Sequence, residues 1–198
     1  MKAILALENG IIFEGTSFGA TGTVTGELAF NTSVVGYQEL LTDPSWKGLF
    51  LTYTYTHIGS YGINEEDNES DRPQAAAVIA TELSRLHSNW RATESLGDWL
   101  ARYGVPGIEG IDTRKLTLII REQGSLRACL TTELSAEEAI AAAKAAPTMV
   151  GNDLASSVST TAAYHWDGES RGWKLPNKSR GDLSYYSELP EATRKAVV

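Results

Sequence analysis

Short apolar runs separated by turn residues occupy the first 30 positions and restrict this part of the chain to β structure. Ala3 to Leu7 is an apolar run, Glu8-Asn9-Gly10 follows it, and Ile11-Ile12-Phe13 comes next. Asn-Gly between two apolar runs predicts a tight hairpin because both residues tolerate positive φ angles. A further strand is predicted over Glu27 to Thr32. The glycines between these strands fit no dinucleotide-binding or phosphate-binding pattern, so we interpret them as turn residues: Gly15, Gly19, Gly22 and Gly26.

Helices with recognisable ends alternate with strands in the next hundred residues. The first helix begins at Thr93 or Ser95 and extends through Tyr103, where Gly104 ends it. Asp112 caps a second helix that ends before Gly124. The third begins with a capping box at Ser135-Ala136-Glu137-Glu138 and ends at Pro147. Further strands are predicted at residues 49–55, 75–80, 105–111 and 126–131. The pattern is that of a mixed α/β domain.

The composition changes after residue 148, where Ser, Thr, Gly, Asn and Lys become more frequent. Tyr164-His165-Trp166 and Gly172-Trp173-Lys174 predict a hairpin, residues 177–187 a linker, and Arg194 to Val198 the start of a strand. We therefore expect one domain over residues 1–150 and an extension and linker over residues 151–198.

Charge and cysteine content exclude several classes of protein. The net charge is −8 and the basic residues are scattered, which argues against nucleic acid and anionic membrane surfaces as partners. No apolar run is long enough to span a membrane, and the charged start does not resemble a signal peptide. A single cysteine excludes an internal disulfide. We expect a soluble, cytoplasmic protein.

No catalytic or metal site stands out from the residues themselves. Cys129 lies in an apolar strand-like run, where a buried core thiol is favoured over a nucleophile. His57 with the acidic residues of the 65–69 loop could form a cation site, but the spacing matches no calcium loop and a solvated acidic loop is favoured. The histidines are too far apart to indicate zinc. This absence favours a binding or assembly role.

The most distinctive stretch is the polar, turn-rich segment from Asn31 to Trp46. Asp43-Pro44-Ser45 predicts a turn because proline fixes φ while Asp and Ser offer local hydrogen bonds. Such loops often contact a ligand or a partner. A plain structural connection explains the composition equally well, so the residues alone leave both interpretations open.

Four blocks of sequence resemble the small chain of carbamoyl phosphate synthetase. They are Phe30-Asn31-Thr32-Ser33, Gly36-Tyr37-Gln38-Glu39 and Leu41-Thr42-Asp43-Pro44-Ser45; Thr54-Tyr55, His57-Ile58-Gly59, Gly62, Asn64, Asp67 and Glu69-Ser70; Gly110-Ile111-Asp112-Thr113-Arg114-Lys115-Leu116-Thr117 and Arg121-Glu122-Gln123-Gly124; and Gly151-Asn152-Asp153-Leu154-Ala155. All four occur in the order and spacing of the family. A chance match to all four in register is not credible.

The resemblance implies a layered β/β/α domain that docks on a large, ATP-using subunit. A class I glutamine amidotransferase domain with a Cys-His-Glu triad would follow and release ammonia from glutamine. The large subunit would convert that ammonia to carbamoyl phosphate for arginine and pyrimidine synthesis. In the family, the serine of the Thr-Asp-Pro-Ser block helps to bind glutamine, and here that serine is Ser45. We expect no cofactor in this segment, with ATP and magnesium used by the large subunit.

The triad of the family maps onto no residue of this chain, and Cys129 does not match its nucleophile. We therefore expect the amidotransferase domain to be missing and the segment alone to be inactive. An exposed apolar patch is expected on the face that would meet the missing domain. The alternative is a free-standing, non-catalytic binding module derived from the same domain.

Overall fold

A computed structural model of the chain describes residues 1–160 and 162–163. The chain divides into two compact units, Met1–Ser159 and Thr160–Val198. The hairpin, linker and terminal strand predicted beyond residue 163 lie outside the described residues. All the secondary structure given below belongs to the first unit.

Nine strands and five α-helices make up the described part of this unit. The strands are β1 (Lys2–Leu7), β2 (Ile12–Gly19), β3 (Thr23–Asn31), β4 (Leu49–Tyr53), β5 (His57–Ile58), β6 (Ala77–Ile79), β7 (Glu82–Leu83), β8 (Pro106–Glu109) and β9 (Arg127–Thr131). The helices are α1 (Tyr37–Thr42), α2 (Leu96–Arg102), α3 (Thr113–Gln123), α4 (Ala136–Ala145) and α5 (Leu154–Val158), and a 3-10 turn covers Pro44–Trp46. The prediction of a mixed α/β domain is confirmed.

Seven of the strands form a closed barrel in the order β1-β2-β8-β6-β4-β3-β9. The ring closes because β9 pairs antiparallel with both β1 and β3. The pairs β3/β4, β4/β6 and β6/β8 are parallel, whereas β1/β2 and β2/β8 are antiparallel. A separate two-stranded parallel sheet pairs β5 with β7. The layered β/β/α arrangement stays a prediction.

The hairpin predicted at Asn9-Gly10 is confirmed. Gly10 has φ of 90°, a conformation that favours glycine, and its N–H donates to the Leu7 carbonyl over 2.9 Å. The Asn9 side chain accepts a hydrogen bond from the Ile11 N–H at 3.1 Å. β1 and β2 then pair antiparallel from Ala6 opposite Ile12. Local turn chemistry therefore sets the register of the first two strands.

One of the two large apolar clusters fills the interior of the barrel. Every one of the seven barrel strands contributes at least one buried side chain, and α3 adds Leu116 and Ile120. The strand residues are Ala3, Leu5, Leu7, Phe13, Leu28, Phe50, Ala77, Ile79, Ile108, Ala128 and Leu130. Burying side chains of this size supplies the main driving force for closing the barrel.

Helices cover two outer faces of the barrel. Trp99 and Leu100 of α2 pack in a cluster with Leu51 of β4 and Val78 of β6. On another face, alanines of α4 pack over Cys129, which is completely buried. Burial raises the pKa of the Cys129 thiol, so the reactive thiolate is disfavoured. The interpretation of Cys129 as a core thiol is confirmed.

The predicted helix starts are confirmed by their caps. The side chains of Ser95, Asp112 and Ser135 accept backbone N–H bonds at the N-termini of α2, α3 and α4. The capping box of Ser135 with Glu138 is formed in both directions. Gly124 follows α3 as its C-cap, as predicted.

Candidate functional site

The segment from Asn31 to Trp46 folds as helix α1 followed by a 3-10 turn. The turn at Asp43-Pro44-Ser45 is confirmed, but the helix before it was not predicted. The Asp43 carboxylate accepts a hydrogen bond from the Ser45 N–H at 2.8 Å, and Pro44 occupies the first position of the turn. Ser45 is exposed. The structure thus presents the Ser45 hydroxyl on a short, internally bonded turn at the end of α1.

Tyr61 supplies the N-terminal cap that α1 does not provide for itself. The helix begins at Gly36, which has φ of 81° and no side chain to accept an N–H bond. The Tyr61 hydroxyl instead accepts from the N–H groups of Gly36 and Tyr37, at 3.2 and 3.1 Å. The rings of Tyr37 and Tyr61 stack with centroids 4.1 Å apart. A residue remote in sequence therefore satisfies the free donors at the helix start.

The tyrosines at this end of α1 form a protonated cluster, in which Tyr37 and Tyr53 are buried and Tyr61 is half-buried. The Tyr37 hydroxyl donates to the Gly62 carbonyl at 2.5 Å, and the Tyr53 hydroxyl donates to the Tyr37 carbonyl at 2.8 Å. Burial raises the pKa of Tyr61 to about 12 and holds the pKa of both Tyr37 and Tyr53 well above the usual range. The phenols therefore remain hydrogen-bond donors at neutral pH.

Gln38 holds the middle of α1 through its side-chain amide. The residue is completely buried. Its Nε2 donates to the Asn64 carbonyl at 2.5 Å and to Oδ1 of Asn68 at 2.7 Å, while its Oε1 accepts from the Asn64 N–H at 3.0 Å. Both backbone polar groups of Asn64 are thus paired with one side chain of the helix.

Thr42 holds the C-terminal end of the same helix. Its hydroxyl donates to the Gln38 carbonyl at 2.9 Å and accepts from the Glu69 N–H at 2.9 Å. The Ser70 hydroxyl donates to the Thr42 carbonyl at 2.5 Å. The segment from Tyr61 to Ser70 therefore contacts α1 at its start, its middle and its end.

Glu39 is the one residue of α1 whose side chain has an unsatisfied polar atom. Its Oε2 is buried and has no hydrogen-bond partner in the part of the chain that the structure describes. Burial raises the pKa of this carboxyl, and the nearby carboxylates of Asp67 and Glu69 add to the effect. The surroundings of the Glu39 side chain, in the first turn of α1, therefore disfavour a negative charge.

The acidic loop differs in one respect from the predicted solvated loop. Glu65 and Glu69 are exposed, but Asp67 accepts two hydrogen bonds from the Arg91 guanidinium, at 2.7 and 2.9 Å. His57 lies beside Glu82 on the small sheet, 3.7 Å away. No three His, Cys, Asp or Glu side chains within residues 1–160 and 162–163 are grouped so that they could hold a metal ion.

Exposed apolar side chains lie on two loops next to the tyrosine cluster. Val35, directly before α1, is 73% exposed, and Leu86 is 84% exposed on the loop that also carries Trp90. This loop reaches the cluster through the Ser88 N–H, which donates to the carbonyl of Ser60 at 2.9 Å. The surface is therefore not uniformly polar here. That this face meets another domain stays a prediction.

The family resemblance implied Ser45 as a site residue, an assignment that stays a prediction, and sequence reasoning missed the residues that hold the helix before it. Gln38 and Tyr61 lie inside the blocks that carry the family resemblance or next to them, yet their partners are more than 20 residues away. No local pattern indicates such a contact. The one available signal was the unusual density of polar and aromatic residues in two separate segments, 31–46 and 57–70.

Comparison with known proteins assigns this domain to a family. The family described as carbamoyl-phosphate synthase small chain, CPSase domain, matches residues 5–130. This range contains the whole barrel except the ends of β1 and β9, together with α1, Ser45 and the Tyr61–Ser70 segment. In the described part of the chain, no helix has the length and apolar character needed to cross a membrane.

Relatives from several bacteria are carbamoyl phosphate synthase small chains. That of Akkermansia muciniphila is 58% identical over 154 residues, which are 78% of this chain and 41% of that protein. That of Pseudomonas syringae pv. tomato is 46% identical over 190 residues, 95% of this chain and 50% of that protein. The chain spans about half the length of the curated relatives that it matches. The chain belongs to the carbamoyl-phosphate synthase small chain family, through the CPSase domain of that family.

Proposed function

We propose that this segment works as the amino-terminal domain of the glutamine-handling small subunit of a carbamoyl phosphate synthase. In this role it docks on the large subunit and completes the glutamine site of an amidotransferase domain. The ammonia released there is used for carbamoyl phosphate, which serves arginine and pyrimidine synthesis in the cytoplasm. Membership of the small chain family supports a role for this segment in carbamoyl phosphate synthase. The layered β/β/α arrangement is part of the same proposal.

The exposed Ser45 hydroxyl is the observation that carries the glutamine role. A hydroxyl donates and accepts hydrogen bonds, so it can pair with either the amide or the charged groups of glutamine. The turn that carries it is fixed by Asp43 and by α1, which reduces the entropy lost when a ligand is bound. An anchored, outward-facing hydroxyl suits a contact made across a domain boundary.

The proposed division of work leaves the covalent chemistry to other parts of the enzyme. Glutamine hydrolysis needs a thiolate nucleophile, and Cys129 is buried with a raised pKa. The nucleophile would come from the amidotransferase domain. ATP and magnesium would be used by the large subunit. Alone, this segment would be inactive.

Replacing Ser45 with alanine tests the glutamine contact. The assay uses the complete small chain that carries this segment, assembled with its large subunit. Losing one hydrogen bond to substrate should raise the KM for glutamine about three- to tenfold. Synthesis from added ammonia should keep its rate, because free ammonia bypasses the glutamine site.

Ser157→Ala is the matched control, because Ser157 is an exposed serine on α5. The Ser157→Ala variant should change neither glutamine-dependent nor ammonia-dependent synthesis. An unchanged glutamine KM in Ser45→Ala would refute the glutamine role of Ser45. Equal losses of synthesis with glutamine and with ammonia would indicate a damaged subunit assembly. That outcome would also refute the glutamine role of Ser45.

A further inference from the structure

We propose that Gln38 is a positioning residue for glutamine use: its buried amide, clamped on the backbone of Asn64, sets where α1 places Ser45. This inference rests on the proposed glutamine contact of Ser45. It assigns to Gln38 a role in substrate affinity without any contact between Gln38 and the substrate.

The helix needs an external anchor because it is too short to be stable alone. It has six residues, Tyr37–Thr42, and no side-chain cap of its own. Isolated helices of this length do not form in water, so tertiary contacts decide where α1 lies. Three of its residues, Gln38, Leu41 and Thr42, are completely buried, and they fix the face that the helix turns inward.

Gln38 fixes the helix in position and in rotation at the same time. Its amide donates to the carbonyl of Asn64 and accepts from the N–H of the same residue. The planar amide thus makes two hydrogen bonds with the backbone of one residue, one as donor and one as acceptor. Together they leave α1 little freedom to slide or to rotate about its axis. An apolar side chain of the same size would keep the packing but lose both bonds.

The partner of Gln38 is itself held rigidly. The Asn64 side chain accepts from the N–H groups of Glu66 and Asp67, at 2.9 and 3.0 Å, and donates to the Asp67 carboxylate at 2.8 Å. That carboxylate is paired with Arg91. The amide of Gln38 therefore binds a preorganised turn, not a mobile loop.

Hydrogen bonds continue from Gln38 to the turn that carries Ser45. The Thr42 hydroxyl donates to the Gln38 carbonyl, and the Asp43 N–H donates to the Glu39 carbonyl at 2.9 Å. The Asp43 carboxylate then accepts from the Ser45 N–H. A shift of α1 at Gln38 is thus carried directly to Ser45, and small displacements of a substrate-binding group are costly.

Gln38→Met in the complete small chain with its large subunit tests the proposal. Methionine has a similar length and no amide, so it removes the clamp and keeps the volume. The glutamine KM should rise about fivefold or more while ammonia-dependent synthesis is unchanged. The double variant with Ser45→Ala should be no worse than Ser45→Ala alone, because both changes remove the same contact.

Leu116→Ala is the stability control. Leu116 is a buried residue of α3 in the barrel core, so its loss weakens the fold without touching α1. It should lower the melting temperature and leave the glutamine KM unchanged. A KM increase in Leu116→Ala equal to that in Gln38→Met would overturn the proposal, since general destabilisation would then explain both.

The two proposals fail in different ways. If Ser45→Ala raises the glutamine KM but Gln38→Met does not, or if the two effects multiply in the double variant, the positioning role is wrong and the Ser45 contact stands. If Ser45→Ala has no effect, both are wrong. Should Gln38→Met not fold, Gln38→Ala decides: it removes the same two bonds to Asn64 with a smaller side chain, and an unchanged KM overturns the positioning role.

Discussion

Two buried threonines in the barrel strands differ in whether their hydroxyl groups are paired. Thr52 of β4 is completely buried, and its Oγ1 has no hydrogen-bond partner among the described residues. Thr131 of β9 is also buried, but its Oγ1 lies 2.7 Å from the hydroxyl of Thr23 and accepts from the Glu133 and Leu134 N–H groups. The same residue type thus has opposite consequences for stability at the two positions.

Thr52→Val should stabilise the chain by about 1 kcal/mol, because valine has the same shape and removes an unpaired buried hydroxyl. Thr131→Val, the matched variant, should destabilise it by about 1–3 kcal/mol, because it leaves backbone donors unpaired. Urea unfolding of the 198-residue chain measures both. A Thr52→Val variant as unstable as Thr131→Val would show that the Thr52 hydroxyl has a partner.

The charge of Glu39 determines how firmly helix α1 is held at different pH values. A carboxylate in the first turn of a helix is normally favoured by the helix dipole, but burial of Glu39 outweighs this and raises its pKa. The folded state therefore prefers the protonated form. The corresponding stability is complete below the unfolded pKa, near 4.5, and is lost as pH rises through the raised folded value.

Glu39→Gln should be more stable than the parent chain at neutral pH, and its advantage should disappear as pH falls towards 4.5. Unfolding free energies measured by urea titration across this pH range give the comparison. Glu138→Gln is the matched control on α4, where hydrogen bonds with Ser135 lower the carboxyl pKa. Its effect should have the opposite sign: a small loss at neutral pH that vanishes in acid. Parallel pH profiles for the two variants would contradict the assignment for Glu39.

Helices with local caps were predictable, and α1 was not. The starts of α2, α3 and α4 follow from Ser95, Asp112 and Ser135, whose side chains bond to backbone N–H groups three residues further on. The start of α1 depends on Gly36 and on the hydroxyl of Tyr61, a residue 25 positions away from it. Only the fold brings those two residues together.

At the scale of the whole molecule, the hairpin was predictable and the closure of the barrel was not. Asn9-Gly10 identifies the β1–β2 turn directly. The pairing of β9 with β1 joins residues more than 100 positions apart, such as Ile4 and Thr131. Alternating apolar runs indicate that strands exist but do not indicate their neighbours. The order of the seven strands depends on long-range pairings of this kind.

The 198-residue chain should bind the large synthetase subunit without an amidotransferase domain, because docking is proposed for this part of the small chain. Size-exclusion chromatography of the mixture should show the two proteins eluting together and earlier than either alone. The separate proteins serve as controls, and circular dichroism verifies folding. A folded chain that elutes separately would assign docking to the amidotransferase domain or favour a free-standing binding module.

Closure of the barrel also determines how the domain behaves at high concentration. An open sheet exposes backbone N–H and C=O groups along its outer strands, and these groups can recruit strands of other molecules. In the barrel each of the seven strands has a neighbour on both sides. Among the described residues, the strands with a neighbour on one side only are β5 and β7, which are two residues long each. The sheet therefore offers hardly any template for strand-to-strand aggregation.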